Sequence, residues 1–422
     1  MNANYHNSEK GQAIVYLVLG FVVFLGFVAL AIDGGMALAD RRHAQNAADA
    51  ASLAGGGAAA LSLEDSNIDY GNWSCGSVGS AIWHAEDAAI NRASANNFSI
   101  TTHVDNDALN YVDATCSNKY IDVTVEISAT TPSNFLQLVF PSALHNEVEA
   151  VTRVFPRHPY AYGNAIVALN SDYCPGGGSP GAIMFGNGET IVQGGGIFSN
   201  GCVRGNGNAG SVTMLPITDT TPTVPAGGIY GHDTDPGNLD WQPEDPQITG
   251  DTLDYNDYAI DPPSEGDCEI HGWRNSLPAV LDPGLWCISG NLSVNAHASI
   301  SGTDVTIYVP NGKITINGGG NLHLYAPDPN LEAPFGALPG VLFYVPETNH
   351  NTVTINGNAG DEFKGIIYAP RSLIKLTGTS ESEIFNGQVI GWNVEMGGNT
   401  GFNIYYNPDE GRTVPTSMQL NR

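Results

Sequence analysis

The first long run of hydrophobic side chains lies near the N-terminus. No charged residue occurs between Lys10 and Asp33, and about 20 apolar residues are enough to cross the hydrocarbon core of a bilayer. The chain continues through an alanine-rich stretch without a proline, so the pattern predicts one long helix, roughly 13–54, that spans a membrane at about 13–32. The predicted anchor residues are Ala13, Val15, Leu17, Phe21, Phe24, Phe27, Leu30 and Ile32.

The second half of this helix has a small-residue face. Ala44, Ala47, Ala48 and Ala51 recur at helical spacing, which predicts a face that packs against another element. We therefore divide the N-terminal part into a long helix at 1–57 and a domain at 58–157.

The pattern of residues 58–157 predicts an α+β domain. Apolar residues at 82, 85, 89 and 93 indicate a second amphipathic helix. Strict alternation from Ile121 to Ile127 indicates a strand, and Val148 to Val154 indicates another.

From Gly163 onward the pattern changes to short apolar alternations separated by Asn-Gly and Gly-Gly turns. "ITINGGG" and "VTINGNAG" are near copies, and a Tyr-x-Pro phrase occurs four times, at spacings of 17, 19 and 24 residues. A repeat of about 20 residues is typical of a parallel β-helix, or β-solenoid, and we favour that fold for residues 158–422. A β-sandwich is the alternative.

The repeated phrases predict equivalent corners of stacked strands, with a proline ending each strand. Their aromatic rings are expected to form a ladder with hydroxyls toward solvent, and a sugar-stacking surface is the sharper hypothesis. The four residues are Tyr308, Tyr325, Tyr344 and Tyr368. Residues 214–266, which are acidic and proline-rich, are expected to form a flexible excursion from the repeats.

Composition restricts the function. A formal net charge of −28 repels a phosphate backbone, so we expect no nucleic-acid partner. Cysteine spacing does not suit a zinc site and favours disulfides in an oxidising compartment. The sequence-local pairs are Cys75 with Cys116, Cys174 with Cys202, and Cys268 with Cys287. We therefore expect the long C-terminal part to lie outside the cytoplasm.

Candidate chemistry is sparse. An enzyme acting on polysaccharides needs paired carboxylates, for which the sequence offers Asp361 and Glu362 with Lys364, and Glu381 and Glu383 near Lys375 and Arg371. Solvated loop charges explain both sets, so we predict that the protein is not an enzyme. A weak calcium candidate comprises Asp233, Asp235, Asp240 and Glu244, whose spacing departs from a calcium loop. No other cofactor is expected.

The N-terminus resembles the TadE/TadG-like proteins of bacterial Tad pilus assembly. The resemblance rests on Gly11-Gln12-Ala13, the apolar span, Asp33-Gly34-Gly35 and the run from Gln45 to Ala51. Residues 58–157 are similar to the pilin-like layout of that group. The repeats from Cys268 to "GIIYAPRSLIKLTG" resemble the region that follows TadG-like anchors in many bacterial envelope proteins. Tyr16 stands where a processed pilin is expected to have Glu.

The resemblance implies a single-pass protein of the bacterial cell membrane with its bulk at the cell surface. It implies the lipid bilayer and other pilus or Tad apparatus subunits as partners. The favoured function is a structural component of a Tad-type pilus or its assembly apparatus. The alternatives are a surface adhesin that binds glycans or another cell, and an envelope polysaccharide lyase or hydrolase.

Overall fold

The N-terminal apolar stretch belongs to one continuous helix, α1 (Gln12–Asp65), in a computed structural model of the chain. Its 54 residues extend over about 81 Å at the usual rise of 1.5 Å per residue. No proline interrupts it, as a helix of this length requires. The structure describes residues 12–102, 109–133, 135, 143–171, 182–220, 223–318, 321–357, 360–378, 383–398 and 402–421.

The other helices are α2 (Gly79–Ala95) and the single turn α3 (Tyr255–Tyr258), with 3₁₀ turns at Tyr160–Gly163 and Glu265–Glu269. The strands described are β1 (Thr101–Thr102), β2 (Tyr111–Ser117), β3 (Tyr120–Thr131), β4 (Leu144–Phe155), β5 (His158–Pro159), β6 (Asn164–Ala168), β7 (Ile183–Phe185), β8 (Gly188–Gly194), β9 (Gly196–Gly205), β10 (Gly210–Leu215), β11 (Ile229–Asp235), β12 (Asp240–Gln242), β13 (Gln247–Ile248), β14 (Val280–Leu281), β15 (Gly284–Ser289), β16 (Leu292–Val294), β17 (Ser299–Gly302), β18 (Val305–Asn311), β19 (Ile314–Asn317), β20 (Asn321–Tyr325), β21 (Val341–Tyr344), β22 (Val353–Gly357), β23 (Glu362–Lys364), β24 (Ile366–Gly378), β25 (Glu383–Asn386), β26 (Val389–Gly398), β27 (Phe402–Tyr406), β28 (Thr413–Val414) and β29 (Ser417–Asn421).

The helical unit comprises Met1–Arg157 and Pro415–Arg422. Its sheet has the order β1-β2-β3-β4-β29, with antiparallel pairing from β2 to β29. Alternate residues of β3 are buried, as expected for a sheet with one face on a core. The second part of α1 and the alanine face of α2 complete this core.

The structure differs from the predicted division at the C-terminus. The sequence assigned all of 158–422 to the repeats, but Pro415–Arg422 belongs to the helical unit. The reason is strand pairing, because β29 adds to β4 as an antiparallel edge strand from Ser417 opposite Phe155 to Asn421 opposite Val151. The repeat region is thus an insertion between two neighbouring strands of one sheet.

The parallel-sheet unit, His158–Val414, is mostly β. One sheet has the order β12-β10-β8-β27-β25-β23-β20-β17-β14, and a second has the main order β13-β11-β9-β6-β26-β24-β21-β18-β15. The described strand pairs in both sheets are parallel. Apolar side chains from both sheets meet in a shared core.

The strand order reveals an unusual path of the chain. The strands from β6 to β13 extend the second sheet toward one end, whereas β15 forms the opposite end. The chain then returns through β18, β21 and β24 until β26 pairs with β6. Residues 249–279, which we call the crossing segment, therefore lead from β13, at one end of the second sheet, to β14, which ends the first sheet and directly precedes β15. β13 and β15 lie eight steps apart in the second sheet, about 38 Å at the usual strand spacing.

The prediction that residues 214–266 form a flexible excursion is wrong. Within 214–266 the chain forms β11, β12 and β13, which extend both parallel sheets. Ile229 and Trp241, at the start of β11 and within β12, are buried in the core. Acidic and proline residues suggested a loop, but backbone pairing with β9 and β10 and the burial of these apolar side chains outweigh that composition.

Two neighbouring glycines on α1 test the packing of the helical unit. A Cβ on Gly55 would lie 2.8 Å from the Ala85 carbonyl oxygen and 2.9 Å from Val123 Cγ1, whereas a Cβ on Gly57 meets nothing within 4 Å. We expect Gly55→Ala to lower the free energy of unfolding by about 1–3 kcal/mol through overpacking. Gly57→Ala should raise it by about 0.5–1 kcal/mol through helix propensity.

Chemical denaturation followed by far-ultraviolet circular dichroism, which reports mainly on the helices, measures both variants. Equal effects of the two substitutions would contradict the close packing of α1 on α2 and the sheet.

Candidate functional site

The side chains in the first third of α1 are largely exposed. The predicted anchor side chains from Val15 to Ile32 are between 41 and 71 % exposed, while the side chain of Ala13 lies outside the described residues. In the part of the chain that the structure describes, α1 is the helix long and apolar enough to cross a membrane. Residues 14–32 extend over about 28 Å, which matches a hydrocarbon core of about 30 Å.

The exposed segment ends abruptly at Asp33, which is buried. The Phe135 N–H donates a hydrogen bond to Asp33 Oδ2 at 2.9 Å. One turn or two later, the Thr131 hydroxyl donates to Asp40 Oδ2 at 2.7 Å, and Asn146 Nδ2 donates to the Ala37 carbonyl at 3.3 Å. Loops and strand ends of the sheet therefore hold the helix at the point where its apolar segment stops.

The sequence did not predict this role for Asp33. The available signal was a carboxylate directly after a long uncharged run, at a position where a lone charge is costly unless it is hydrogen-bonded. Phe135, whose N–H donates to this carboxylate, lies 102 positions away in the chain, so local pattern did not reveal the contact.

The predicted alanine face is covered by the protein itself. Ala44, Ala47, Ala48 and Ala51 are buried in the core that contains the alanines of α2 and the apolar residues of β3. Small side chains let the two helices approach closely. The face therefore packs against other elements of the same unit.

The tyrosine ladder is present for three of the four predicted residues. Tyr308 pairs with Tyr344 in the parallel register, and Tyr344 with Tyr368. Their ring centroids lie 5.7 and 5.1 Å apart. Cys287 occupies the preceding place in the same register, opposite Tyr308.

The predicted orientation toward solvent is wrong, because the crossing segment covers this ladder. Tyr344 and Tyr368 are 2 and 1 % exposed. The Tyr344 hydroxyl donates to the Ile260 carbonyl at 2.8 Å, and the Ile260 N–H donates to the Tyr368 hydroxyl at 3.4 Å. Burial raises the pKa of both phenols. Covered rings do not stack on a sugar.

Tyr325 does not belong to the ladder. It ends β20 in the other sheet, where it pairs with Lys364, and its hydroxyl donates to Glu362 Oε2 at 2.7 Å. Desolvation and this bond raise the pKa of Tyr325 to about 12. The shared Tyr-x-Pro phrase therefore marks two different structural positions.

The crossing segment is attached along its length. The Leu253 N–H donates to Asn200 Oδ1 at 2.8 Å, near one end of the sheet. Ile260 binds the tyrosine ladder in the middle. Near the other end, Cys268 forms a disulfide with Cys287 in β15, which confirms that sequence-local pairing.

The structure describes both cysteines of one of the other two predicted pairs and one cysteine of the second. Cys75 and Cys116 form the second predicted disulfide, with Cα atoms 5.6 Å apart. Cys202 is disulfide-bonded, and its predicted partner Cys174 lies outside the described residues.

The candidate carboxylates have structural partners. Asp361 is buried and accepts from the Leu322 N–H at 3.2 Å, and Glu362 accepts from Tyr325. Lys375 forms an ion pair with Glu395. Glu381 and the side chain of Glu383 lie outside the described residues.

The four calcium candidates are dispersed. Asp233 and Asp235 belong to β11, whereas Asp240 begins β12 in the other sheet and Glu244 follows that strand. Asp235 Oδ2 lies 3.3 Å from Arg204 Nε. The described residues contain no group of three or more His, Cys, Asp or Glu side chains suited to a metal ion. Calcium binding stays a prediction.

Comparison with known proteins identifies two segments. Residues 11–60 match the family model for putative Flp pilus-assembly TadE/G-like proteins. Residues 264–410 match a domain of unknown function, DUF7305. Neither the curated proteins nor the solved structures include a match to this chain.

Tyr344→Phe tests the attachment of the crossing segment. The substitution removes the hydrogen bond to Ile260 and leaves a buried carbonyl without that donor. We expect the free energy of unfolding of the parallel-sheet unit to fall by about 1–2 kcal/mol, with faster limited proteolysis within 249–279.

The matched control is Tyr230→Phe in β11, since that ring is 43 % exposed and lies at the same register position as Phe198 of β9. It should change neither quantity. Equal proteolysis of the two variants would argue that the tyrosine hydroxyl does not hold the segment.

Proposed function

Since residues 11–60 are a TadE/G-like pilus-assembly segment, we propose that the protein is a membrane-anchored structural component of a Tad-type pilus or its assembly apparatus. The single observation that carries the proposal is the bare apolar part of α1, which continues without interruption into the packed core of the helical unit.

Energetics support a bilayer around residues 14–32. Fourteen of these 19 residues are Leu, Ile, Val or Phe, and none is charged. Each such side chain at a helix centre contributes about −0.3 to −0.6 kcal/mol to the free energy of membrane insertion. In water the same surface would form an exposed apolar patch far larger than those of soluble monomers.

Disulfides support an extracytoplasmic location for the rest of the chain. Cys75–Cys116 lies in the helical unit and Cys268–Cys287 in the parallel-sheet unit, and such bonds persist in oxidising compartments. The charge of −28 suits a solvated surface. We infer that both units lie outside the cytoplasm, at the cell surface.

We further propose that the parallel-sheet unit is a β-solenoid displayed by this anchor. Its parallel pairs support this assignment over a β-sandwich, in which pairing is predominantly antiparallel. A displayed scaffold agrees with a structural rather than an enzymatic role, and other subunits of the Tad apparatus are the proposed partners.

The adhesin alternative loses its original basis, since the laddered tyrosines are covered. The lyase or hydrolase alternative also loses support, because Asp361 and Glu362 already satisfy neighbouring donors.

Phe24→Arg tests membrane anchoring. An arginine in the middle of the apolar segment opposes insertion by about 2.5–3.5 kcal/mol. We expect the protein to shift from the carbonate-resistant membrane fraction to soluble or aggregated fractions. Leu61→Arg is the control, because Leu61 lies on the same helix, is 69 % exposed and belongs to the packed part. Retention of Phe24→Arg at the level of the control would rule out this anchor.

Shearing of surface filaments tests the assignment to a pilus system. Mass spectrometry of the sheared and membrane fractions locates the protein and reads its N-terminus. A sheared product that begins at or near Gly11 or Gln12 identifies a processed filament subunit, and an intact membrane form that cross-links to Tad subunits identifies a part of the apparatus. Absence of the protein from both fractions contradicts the proposal.

A further inference from the structure

The helix α1 has two different faces just beyond its apolar segment. Asp33, Ala37 and Asp40 recur at helical spacing, and each accepts a hydrogen bond from a loop or strand end of the helical unit. A second set recurs at the same spacing on another side of the helix. It comprises Gly34, Gly35, Leu38, Arg41 and Arg42, and we call it the glycine–arginine face.

Packing within the protein does not explain the two glycines of this face. A Cβ on Gly34 or Gly35 would meet no atom beyond the helix's own backbone within 4 Å. Glycine is also less favourable than alanine inside a helix. Small residues in a membrane helix let another molecule approach the backbone closely. The glycines therefore leave an open notch at the level where the apolar segment ends.

The two arginines of this face carry positive charge into solvent. Both are exposed, and neither forms an ion pair in the part of the chain that the structure describes. Two nearby carboxylates, Asp33 and Asp40, lie on the packed face, where they accept hydrogen bonds. A third, Glu147, lies on the face of β4 away from the core. In a chain with a formal net charge of −28, the arginine pair is a local positive patch.

This patch lies within reach of lipid headgroups. Arg41 and Arg42 follow Asp33 by about 12 and 14 Å along the helix, and the headgroup layer extends about 5–8 Å beyond the hydrocarbon core. Helical side chains tilt toward the N-terminus, and arginines near the ends of membrane helices extend to the interface. Leu38, which is 60 % exposed, lies one turn nearer the apolar segment, where the aliphatic stems of both arginines pass over it.

The chemistry of the face favours an anionic lipid. A guanidinium group binds a phosphate through two parallel hydrogen bonds, and a zwitterionic headgroup adds a cation that two arginines repel. A second copy of α1 is less suitable as the occupant of the notch. Two copies in one membrane have the same orientation, so close contact at Gly35 would place their Arg42 side chains near each other, and like charges repel.

We propose that the glycine–arginine face binds an anionic phospholipid, with the headgroup phosphate at Arg41 and Arg42 and the glycerol region in the notch at Gly34 and Gly35. The inference rests on the proposed membrane anchor and names the class of lipid held at the end of the anchor.

Native mass spectrometry of the full chain in a non-ionic detergent tests the arginines. Dioleoylphosphatidylglycerol and dioleoylphosphatidylcholine are added in equal amounts, so that the lipids differ in the headgroup alone. We expect the anionic lipid to bind at least about 10-fold better, and Arg42→Gln to reduce this preference about 5-fold, the effect of one basic residue near an anionic surface. Arg92→Gln is the control of equal charge change, since Arg92 is exposed and lies in the last turn of α2. It should keep the preference.

Gly35→Leu tests the notch. The added side chain fills the notch and should weaken binding of the anionic lipid about 5-fold or more, similar to the loss of one arginine contact. Without lipid, the melting temperature should not fall, because leucine meets no neighbour there and favours a helix over glycine. Gly57→Leu is the matched control, since a Cβ on Gly57 also meets nothing within 4 Å. It should leave lipid binding unchanged.

Three results would overturn the proposal. Equal retention of the two lipids by the unsubstituted chain shows that the face does not select charge. Equal loss of preference in Arg42→Gln and Arg92→Gln assigns the preference to net charge. A dimer that dissociates in Gly35→Leu, with no preference between the lipids, assigns the notch to a second copy of the chain.

Carbonate extraction separates this proposal from the membrane anchor. Arg42→Gln and Gly35→Leu should both stay in the membrane fraction, because the apolar segment is intact, whereas Phe24→Arg should leave it. An unsubstituted chain that is itself extracted by carbonate contradicts the anchor, and the lipid site is overturned with it.

Discussion

Stacking of tyrosines in a parallel register creates the constraint on which the parallel-sheet unit depends. Parallel pairing places Tyr308, Tyr344 and Tyr368 at successive positions on one face. Each ring offers a large apolar area, and an uncovered column of them would form an exposed apolar patch. The crossing segment covers the column, and Ile260 satisfies two of its hydroxyls through backbone hydrogen bonds. The cover thus supplies hydrogen-bond partners for two of the buried phenols.

The same segment permits the unusual order of the strands. Early strands extend one end of the sheet, and the chain must then reach the opposite end before it can wind back to β6. Attachments at Asn200, at the tyrosines and at Cys287 fix the segment across that distance. Ordering more than 30 residues carries a large entropic cost, which the buried contacts and the disulfide offset.

In the helical unit, one helix serves two environments. The first third of α1 carries its own apolar side chains on all sides, whereas the packed remainder has small residues on one face. Asp33 marks the change, since its buried carboxylate accepts a hydrogen bond from the Phe135 N–H of the same unit. Continuity of the helix gives a rigid connection from the proposed membrane segment to the core of this unit. The return of β29 to β4 means that the inserted repeats are tied to the helical unit at both of their ends.

The sequence by itself determined the features that depend on local pattern. A long uncharged apolar run without proline favours a helix, alternation in β3 follows from one buried face, and close cysteine pairs favour their own disulfides. Only the tertiary structure decided that Tyr325 lies in a different sheet from Tyr344, that residues 229–248 form strands, and that Ser417–Asn421 joins β4. The Asp33 contact belongs to the same class. Each depends on strand pairing between distant residues, and local sequence does not record which distant backbone will supply the partner.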